Sequence, residues 1–308
     1  MWYNINTSYG NLVAQNLTAP STTGKTFLVS KTTQPNADVL GQMFVPDTEG
    51  VPRLFSTITA ALTQCVANRG DVIYVAPGYT ETITWAAGIA IAKAGVSIIG
   101  LGTGSLRPTI TFTTAITASL NITAANVLIK NMVFTAGFDA ITAMINVTGA
   151  YVAFEDCEIN TNTSTLGVVL GILTAATATG FRVERCRFLG DATNSGTTTT
   201  AQIQHEVWVD YIIKDCYFTG KMTQAILNAT TVLRGLIANN FFVVATGTKG
   251  IAMAAASTPF ITNNRFNVAS GTTPIVAAAG FVAWNIYSAA AGVTSTGQTG
   301  STATVSTI

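Results

Sequence analysis

A short apolar pattern recurs seven times between residues 129 and 287, and it constrains the fold more than any other feature of the chain. Each copy has an apolar residue, then a Cys, Asn or Met three positions later, then a large apolar residue two positions after that. Successive copies begin 21 to 30 residues apart, a period typical of solenoids. The copies are Ile129, Met132 and Phe134; Phe154, Cys157 and Ile159; Val183, Cys186 and Phe188; Ile213, Cys216 and Phe218; Ile237, Asn240 and Phe242; Ile261, Asn264 and Phe266; and Val282, Asn285 and Tyr287.

This spacing predicts an all-β fold in which each copy marks one coil of a right-handed parallel β-helix. Each coil contributes short strands that pair with the equivalent strands one coil away, at a spacing of about 4.8 Å. Equivalent residues therefore stack on one another along the axis and fill a continuous core. From residue 72 to residue 287 the chain has room for roughly nine coils of this length.

A buried ladder is expected at the centre of the copies, where the stacked residues are first cysteines and then asparagines. Stacked asparagine amides hydrogen-bond to one another and to the backbone at a bend, which satisfies polar groups inside a core. The cysteines form no CxxC pair and are interpreted as buried, reduced thiols. The predicted structural ladder consists of Cys157, Cys186, Cys216, Asn240, Asn264 and Asn285.

The residues before the first coil predict a helix that covers the open end of the solenoid. Ser56 is a suitable N-cap, and Ile58 and Leu62 would lie on one face of a helix that runs to about residue 68. An uncovered end leaves unpaired strands that invite strand addition. The expected organisation is an extended arm over 1–53, a β-helix domain over 54–287 with a capping helix at about 56–68, and a low-complexity tail over 288–308.

The N-terminal segment lacks the coil pattern and carries its apolar residues in short clusters. We interpret it as an extended arm that becomes ordered against a neighbouring molecule, with a disordered leader as the alternative. The uncharged tail is either flexible or a strand-forming segment in a trimer. The arm residues expected to bind a partner are Trp2, Tyr3, Phe27, Leu28 and Phe44.

Two segments resemble the opening of the pectin-lyase-like β-helix superfamily. They run from Phe55 to Leu62 and from Gly70 to Glu81, where the chain reads GDVIYVAPGYTE. In that superfamily a capping helix precedes a first coil of this type. Together with residues 95–104 and 107–112, the segment resembles virion structural proteins of tailed bacteriophages. The resemblance covers roughly residues 40–287, and it implies a β-helix fold and a structural role in a virion.

The composition favours a protein that hides much of its surface against copies or partners. Charged residues are only 9% of the chain and apolar residues are 48%, so Thr, Ala, Ser, Asn and Gly must cover the outside. The net charge of +1 without a basic run argues against nucleic-acid binding. No apolar stretch approaches the roughly 18 to 20 residues of a membrane span. With a single histidine and no metal-ligand spacing, no cofactor or metal is expected.

Two carboxylates are the weak candidates for catalysis, because several β-helix relatives cleave polysaccharides. Glycoside hydrolysis needs two carboxyl groups about 5 to 10 Å apart. The coil register stacks Glu155 on Glu184, between Lys130 and Lys214. The adjacent row contains Asn131, Asp156, Arg185 and Asp215. A solvated ladder of ion pairs is the preferred interpretation of both rows.

His205, with Glu206 and Asp210, forms a second candidate, as a catalytic or metal site beside a long polar insert. The preferred interpretation is an exposed loop histidine. Because the preferred interpretation of both groups is structural, the chain is expected not to be an enzyme, with polysaccharide cleavage by the Glu155 and Glu184 pair as the alternative.

The leading hypothesis is therefore a capsid decoration or cement protein of a tailed bacteriophage, which forms oligomers, expected to be trimers, on the head. It would be made in the host cytoplasm and located in the virion, in contact with capsid or other virion proteins. The alternative is a tail spike or fibre module that binds, and in one version cleaves, host surface glycans. A bacterial surface adhesin is a third alternative.

Overall fold

Three parallel sheets run along the described chain and together form a parallel β-solenoid of about nine turns. The computed structural model describes residues 24–31, 42, 44–85, 88–193, 195–206, 209–230, 233–244, 249–254, 257–268, 274–277 and 280–288. Most turns contribute one strand to each sheet, and each strand pairs in parallel with the equivalent strand of the next turn. The predicted parallel β-solenoid is confirmed.

The strands are numbered in chain order, β1 to β28. Sheet 1 has eleven strands in the order β2 (Leu54–Phe55), β1 (Thr26–Val29), β3 (Val72–Val75), β6 (Ser97–Gly100), β9 (Leu128–Lys130), β12 (Ala153–Glu155), β15 (Arg182–Glu184), β18 (Val209–Lys214), β21 (Leu233–Ala238), β24 (Thr258–Thr262) and β27 (Phe281–Ala283). Sheet 2 has nine, which are β4 (Thr80–Ile83), β7 (Thr109–Phe112), β10 (Val133–Ala136), β13 (Glu158–Asn160), β16 (Arg187–Leu189), β19 (Tyr217–Phe218), β22 (Phe241–Val244), β25 (Arg265–Val268) and β28 (Ile286–Ser288). Sheet 3 has eight, which are β5 (Ile89–Ile91), β8 (Leu120–Ile122), β11 (Ile141–Val147), β14 (Val168–Thr174), β17 (Thr199–His205), β20 (Met222–Asn228), β23 (Lys249–Ala252) and β26 (Ile275–Val276).

The core is a set of stacked identical or similar side chains, as the repeat predicts. Phe188, Phe218, Phe242 and Phe266 are register partners in sheet 2. Their rings stack almost in parallel, with centroids 4.7, 4.8 and 4.7 Å apart. Because successive side chains of a strand point to opposite faces, only alternate residues enter this core and the others face outward.

A two-residue bend joins sheet 1 to sheet 2 in most turns, and its first residue always has a left-handed backbone. The φ angles lie between 52° and 57°. Asparagine and aspartate tolerate this conformation better than other non-glycine residues, and they occupy most of these positions. The second residue of the bend points into the core. The left-handed residues are Asn131, Asp156, Arg185, Asp215, Asn239, Asn263 and Trp284.

One α-helix, α1 (Ile58–Gln64), lies at the N-terminal side of the solenoid. It is shorter than the predicted 56–68, and Thr57 rather than Ser56 is the N-cap, since its side chain accepts a hydrogen bond from the backbone N–H of Ala60 at 3.1 Å. Ile58, Ala61 and Leu62 are buried against the core. Among the described residues, no helix is both long and apolar enough to cross a membrane.

The structure corrects the expectation for two of the arm residues, because β1 is part of sheet 1. This strand lies between β2 and β3. Phe27 enters the main core and Leu28 is buried on the outer face with Val72 and Tyr74, partly under Phe44. Phe27 and Leu28 are therefore packed inside their own molecule and are not free to bind a partner. The repeat did not predict this strand, because the sequence of β1 does not contain the repeated pattern. Trp2, Tyr3 and the tail after Ser288 lie outside the described residues.

Candidate functional site

The edge where sheet 1 bends into sheet 2 carries the outward side chains of greatest interest. In the middle turns, β9 to β18, this edge is charged. In the last turns, β21 to β28, the same edge is apolar. The backbone of the bend is similar in both regions, with a left-handed first residue in each, so at the bend the difference lies in the side chains.

The middle turns bring the two candidate carboxylates together, as the register predicts. Glu155 and Glu184 are direct partners across β12 and β15. The guanidinium of Arg185 lies between them and binds three carboxylates. Its nitrogens are 2.7 Å from Asp156 Oδ1, 3.1 Å from Glu155 Oε2 and 3.4 Å from Glu184 Oε2.

Further cations complete this group on both sides. Lys130 Nζ lies 3.4 Å from Glu155 Oε2, and Lys214 Nζ lies 3.3 Å from Glu184 Oε2. Arg182 Nε donates to Glu184 Oε1 at 3.0 Å. Four cations therefore surround three carboxylates. We call this group the charge network, and its members are Lys130, Glu155, Asp156, Arg182, Glu184, Arg185 and Lys214.

The electrostatics of Glu184 do not suit a general acid. Burial acts to raise the pKa of its carboxyl, but hydrogen bonds and ion pairs with Arg182 and Lys214 outweigh burial and hold the pKa below its ordinary value. A glycosidase acid needs a raised pKa so that it carries a proton near neutral pH. The charge network instead keeps this carboxylate ionised and fixes the position of the bend.

The structure does not assemble the His205 trio. His205 is the last residue of β17 and is fully buried, with its ring 5.2 Å from that of Tyr211. Its Nδ1 lies 3.1 Å from Asn228 Nδ2, and burial lowers its pKa well below the ordinary value. Asp210 pairs with Arg234 at 2.8 Å on the surface instead. The expectation of an exposed loop histidine is wrong, because β17 continues to His205 and alternation turns this side chain inward.

Metal binding finds no support in the described part of the chain, where no three His, Cys, Asp or Glu side chains are grouped to hold an ion. The four cysteines are free and buried. Burial raises the pKa of the Cys157 and Cys186 thiols well above the ordinary value, so these thiols stay protonated and unreactive.

The six ladder residues occupy the inward position of successive bends. Each cysteine Sγ lies 3.6 Å from a backbone oxygen of the preceding turn, as in the pair formed by Cys186 with Phe154. Each asparagine Nδ2 donates to the equivalent backbone oxygen at 2.9 to 3.0 Å. The asparagine Oδ1 also accepts from the backbone N–H of the ladder residue one turn earlier; Asn264 Oδ1, for example, is 3.0 Å from the nitrogen of Asn240. The ladder thus links the turns inside the core.

Sequence reasoning missed a cluster of exposed apolar side chains on the last turns. We call this cluster the aromatic strip. Its five members are 37 to 71% exposed. They are Phe241, Phe260, Phe281, Trp284 and Ile286. Large apolar residues at outward positions beside the buried repeat, such as Phe260 directly before Ile261, are the signal that would have found it.

Three members of the strip are in ring contact from sheet 1 to the bend. Phe260 and Phe281 are register partners in sheet 1, and their ring centroids are 5.5 Å apart. The ring of Trp284, at the bend, lies 5.9 Å from that of Phe281 in an edge-to-face arrangement. In sheet 2, Phe241 and Ile286 flank Arg265 in register.

Trp284 is unusual at its position. Its φ is 54°, in the left-handed region, where the two preceding turns have Asn239 and Asn263. A bulky aromatic residue in this conformation costs on the order of 1 kcal/mol. Its side chain is 71% exposed, so burial within its own molecule does not offset this cost.

The charge around the strip is one-sided. No Asp or Glu follows Asp215 in the sequence, whereas four cations do. Arg265 is the charged residue that lies within the strip. Aromatic residues with arginine and without carboxylates are typical of the centre of protein interfaces.

No family model, curated protein or solved structure matches this chain.

Proposed function

We propose that this chain is a structural virion protein of a tailed bacteriophage, a decoration or cement protein that forms oligomers on the head surface. The observation that carries the proposal is the aromatic strip on a ladder-bonded solenoid, which is a surface for binding rather than for chemistry. The resemblance of residues 55–62 and 70–81, together with residues 95–104 and 107–112, to phage virion structural proteins supplies the link to a virion.

The proposal includes the finer structural features that the resemblance implies. The solenoid winds in the right-handed sense of the pectin-lyase-like superfamily, and α1 caps its N-terminal end. Burial of Ile58, Ala61 and Leu62 against the core supports the capping role. The oligomer is a trimer of a chain made in the host cytoplasm and located in the virion.

The mechanism in this function is mechanical. Backbone ladders and the buried asparagines tie every turn to the next, so a load on one turn is shared along the axis. The carboxylates and cations of the charge network pair with one another, so this part of the edge needs no ions from another molecule. Attachment is then left to the aromatic strip and to the N-terminal segment.

Immunogold labelling of virions with antibody raised against the purified chain tests this function. Regular labelling of the heads is the expected result, with a stoichiometry that follows the capsid lattice. Absence of the chain from purified particles, measured by mass spectrometry, would contradict the proposal. Labelling confined to the tail would favour the alternative.

The alternative, a tail spike or fibre module that binds host glycans, is favoured by one observation. Exposed aromatic rings such as Trp284 and Phe260 are also suited to stacking on sugar rings. A panel of capsular and lipopolysaccharide glycans, assayed for binding and for new reducing ends, tests it. Binding lost in Trp284→Asn would support a glycan module, and cleavage lost in Glu155→Gln or Glu184→Gln would show an enzyme.

A further inference from the structure

The side chains of the aromatic strip are exposed to solvent although they are large and apolar. Five large apolar side chains from three consecutive turns remain 37 to 71% exposed, although the ring of Phe241 stacks on that of Tyr217. Trp284 also bears the backbone cost of its left-handed conformation. Arg185 has the same conformation at the equivalent bend, but there three carboxylates hold the side chain. Trp284 has an edge-to-face contact with Phe281 but stays 71% exposed, which points to a further partner outside the described part of the molecule.

The charge pattern restricts what this partner can be. A surface without carboxylates has no attraction for a cationic partner, and burying further unpaired charges against its rings would be costly. Arg265 is exposed, and its long side chain can keep the guanidinium in water at the edge of an apolar contact. An uncharged apolar segment fits best. The two longest uncharged segments outside the described residues are residues 1–23 and residues 289–308.

These two segments differ in what they offer to aromatic rings. The C-terminal one contains only Val293, Val305 and Ile308 as large apolar residues. The N-terminal one offers three aromatic and four large aliphatic side chains, namely Trp2, Tyr3, Ile5, Tyr9, Leu12, Val13 and Leu17. Because aromatic pairs add to the energy of area burial, the N-terminal segment is the better occupant.

We propose that the aromatic strip is the docking site for residues 1–23 of a second copy of this chain. The inference rests on the proposed function in one respect, since it supplies the contact by which copies form an oligomer. It also replaces the earlier assignment of Phe27 and Leu28 to the partner contact, because those residues are buried in their own solenoid.

The position of β1 favours a second copy over the molecule's own segment. Residue 24 lies beside the first turn, whereas β24 and β27 are eight and nine strands further along sheet 1, or about 40 Å at the usual strand spacing. Along this edge the segment would have to cover the charge network. Arg185 and Asp156 there are 45% and 35% exposed, and covering them with apolar residues would remove water from their ions. A segment from a second copy is not confined to this path.

Three full-length proteins test the docking. The strip variant carries Trp284→Asn and Phe260→Thr. Asparagine is the residue at the equivalent bend position of the two preceding turns, and threonine suits an outward position on a strand. The arm variant carries Trp2→Ser and Tyr3→Ser. The control variant, Trp85→Asn, removes a comparably exposed tryptophan, 57% exposed, outside the strip. Circular dichroism first checks that all of them are folded.

The association of each protein is measured by multi-angle light scattering over a range of concentrations. We expect the strip variant and the arm variant each to weaken association at least tenfold, and the control to match the unaltered chain. A mixture of the strip and arm variants should form a complex containing both, because the arm of one fits the strip of the other. A free peptide of residues 1–23 should dissociate the oligomer of the unaltered chain.

Other outcomes would overturn the inference. If the arm variant associates normally while the strip variant does not, the strip packs on another surface of the second copy. If neither variant changes association, the strip binds a different partner or a glycan. Failure of the mixture to form a mixed complex would also contradict docking. The proposed virion role is judged separately, since labelling of phage heads does not depend on any of these results.

Discussion

The middle turns and the last turns of the solenoid share a backbone plan and differ in what they place on it. In the middle, the bend carries the charge network outside and the cysteines Cys157, Cys186 and Cys216 inside. At the end, it carries the aromatic strip outside and the asparagines Asn240, Asn264 and Asn285 inside. In the middle region the surface charges pair with one another, and the buried cysteines make only weak hydrogen bonds between turns. The end region has a strongly bonded interior and an exposed apolar surface, as a docking platform requires.

The largest difference between the regions is expected in the buried ladder. Asn264→Ala removes the partner of the Asn240 backbone N–H and of the Ile237 carbonyl. Leaving these buried groups without hydrogen bonds should lower the free energy of unfolding by about 3 kcal/mol. Cys186→Ala, the matched change in the middle region, removes only a weak thiol contact and should cost about 1 kcal/mol. Chemical denaturation of both variants measures the contrast, and equal losses would contradict it.

The second prediction concerns the charge network. Glu184→Ala leaves Arg182 and Lys214 without their shared carboxylate. The carboxylate is buried but the cations are partly exposed and regain water, so the expected loss of unfolding free energy is about 2 kcal/mol, less than for a fully buried pair. Thermal denaturation of this variant is compared with Asp210→Ala, which breaks the exposed pair with Arg234. A larger loss in the Asp210 variant would show that the network does not hold the middle turns.

The third prediction concerns the pH dependence of stability, to which the buried His205 contributes in mild acid and the carboxylate of Glu184 in stronger acid. Burial depresses the pKa of His205 in the folded protein, so below pH 6.5 the unfolded chain binds a proton that the folded chain does not. The contribution of His205 to stability is therefore constant above pH 6.5, and stability should fall as the pH drops below this value, with a slope that approaches about 1.4 kcal/mol per pH unit. His205→Asn should abolish this slope between pH 6.5 and 5.

A further loss is expected in stronger acid. The pKa of Glu184 is lowered in the folded state from an ordinary value of 4.5, so its contribution is present above pH 4.5 and is lost as the pH falls through the folded value. Urea denaturation at a series of pH values separates the two windows. A slope between pH 6.5 and 5 that persists in the histidine variant would contradict the assignment to His205.

The smallest effect on stability is expected at the strip itself. Trp284→Asn introduces the residue type that the two preceding turns have at this bend, and the side chain it removes is exposed. The free energy of unfolding should therefore change by no more than about 0.5 kcal/mol. Denaturation at a concentration where the protein is monomeric measures this. A large loss would mean that Trp284 supports the fold of its own molecule.

The repeat made the interior of this protein predictable from its sequence. In parallel strands the same residue stacks on itself, so the register of Phe188, Phe218 and Phe242 follows from their spacing alone. Three features escaped prediction for physical reasons. Strand β1 contributes no bend and hence no motif. His205 ends a strand of sheet 3, where no motif marks the inward positions. The strip consists of outward residues, and exposure depends on what covers a surface, which no local pattern records.

Hydrogen exchange at two protein concentrations tests most directly whether the end region is the docking platform. Amide exchange of the full-length chain is compared between the dilute and the associated state, peptide by peptide. We predict that association adds protection in residues 1–23 and around β24, β27 and β28, with none in β9, β12 and β15. Protection confined to the charge network, or spread evenly along the solenoid, would contradict this prediction.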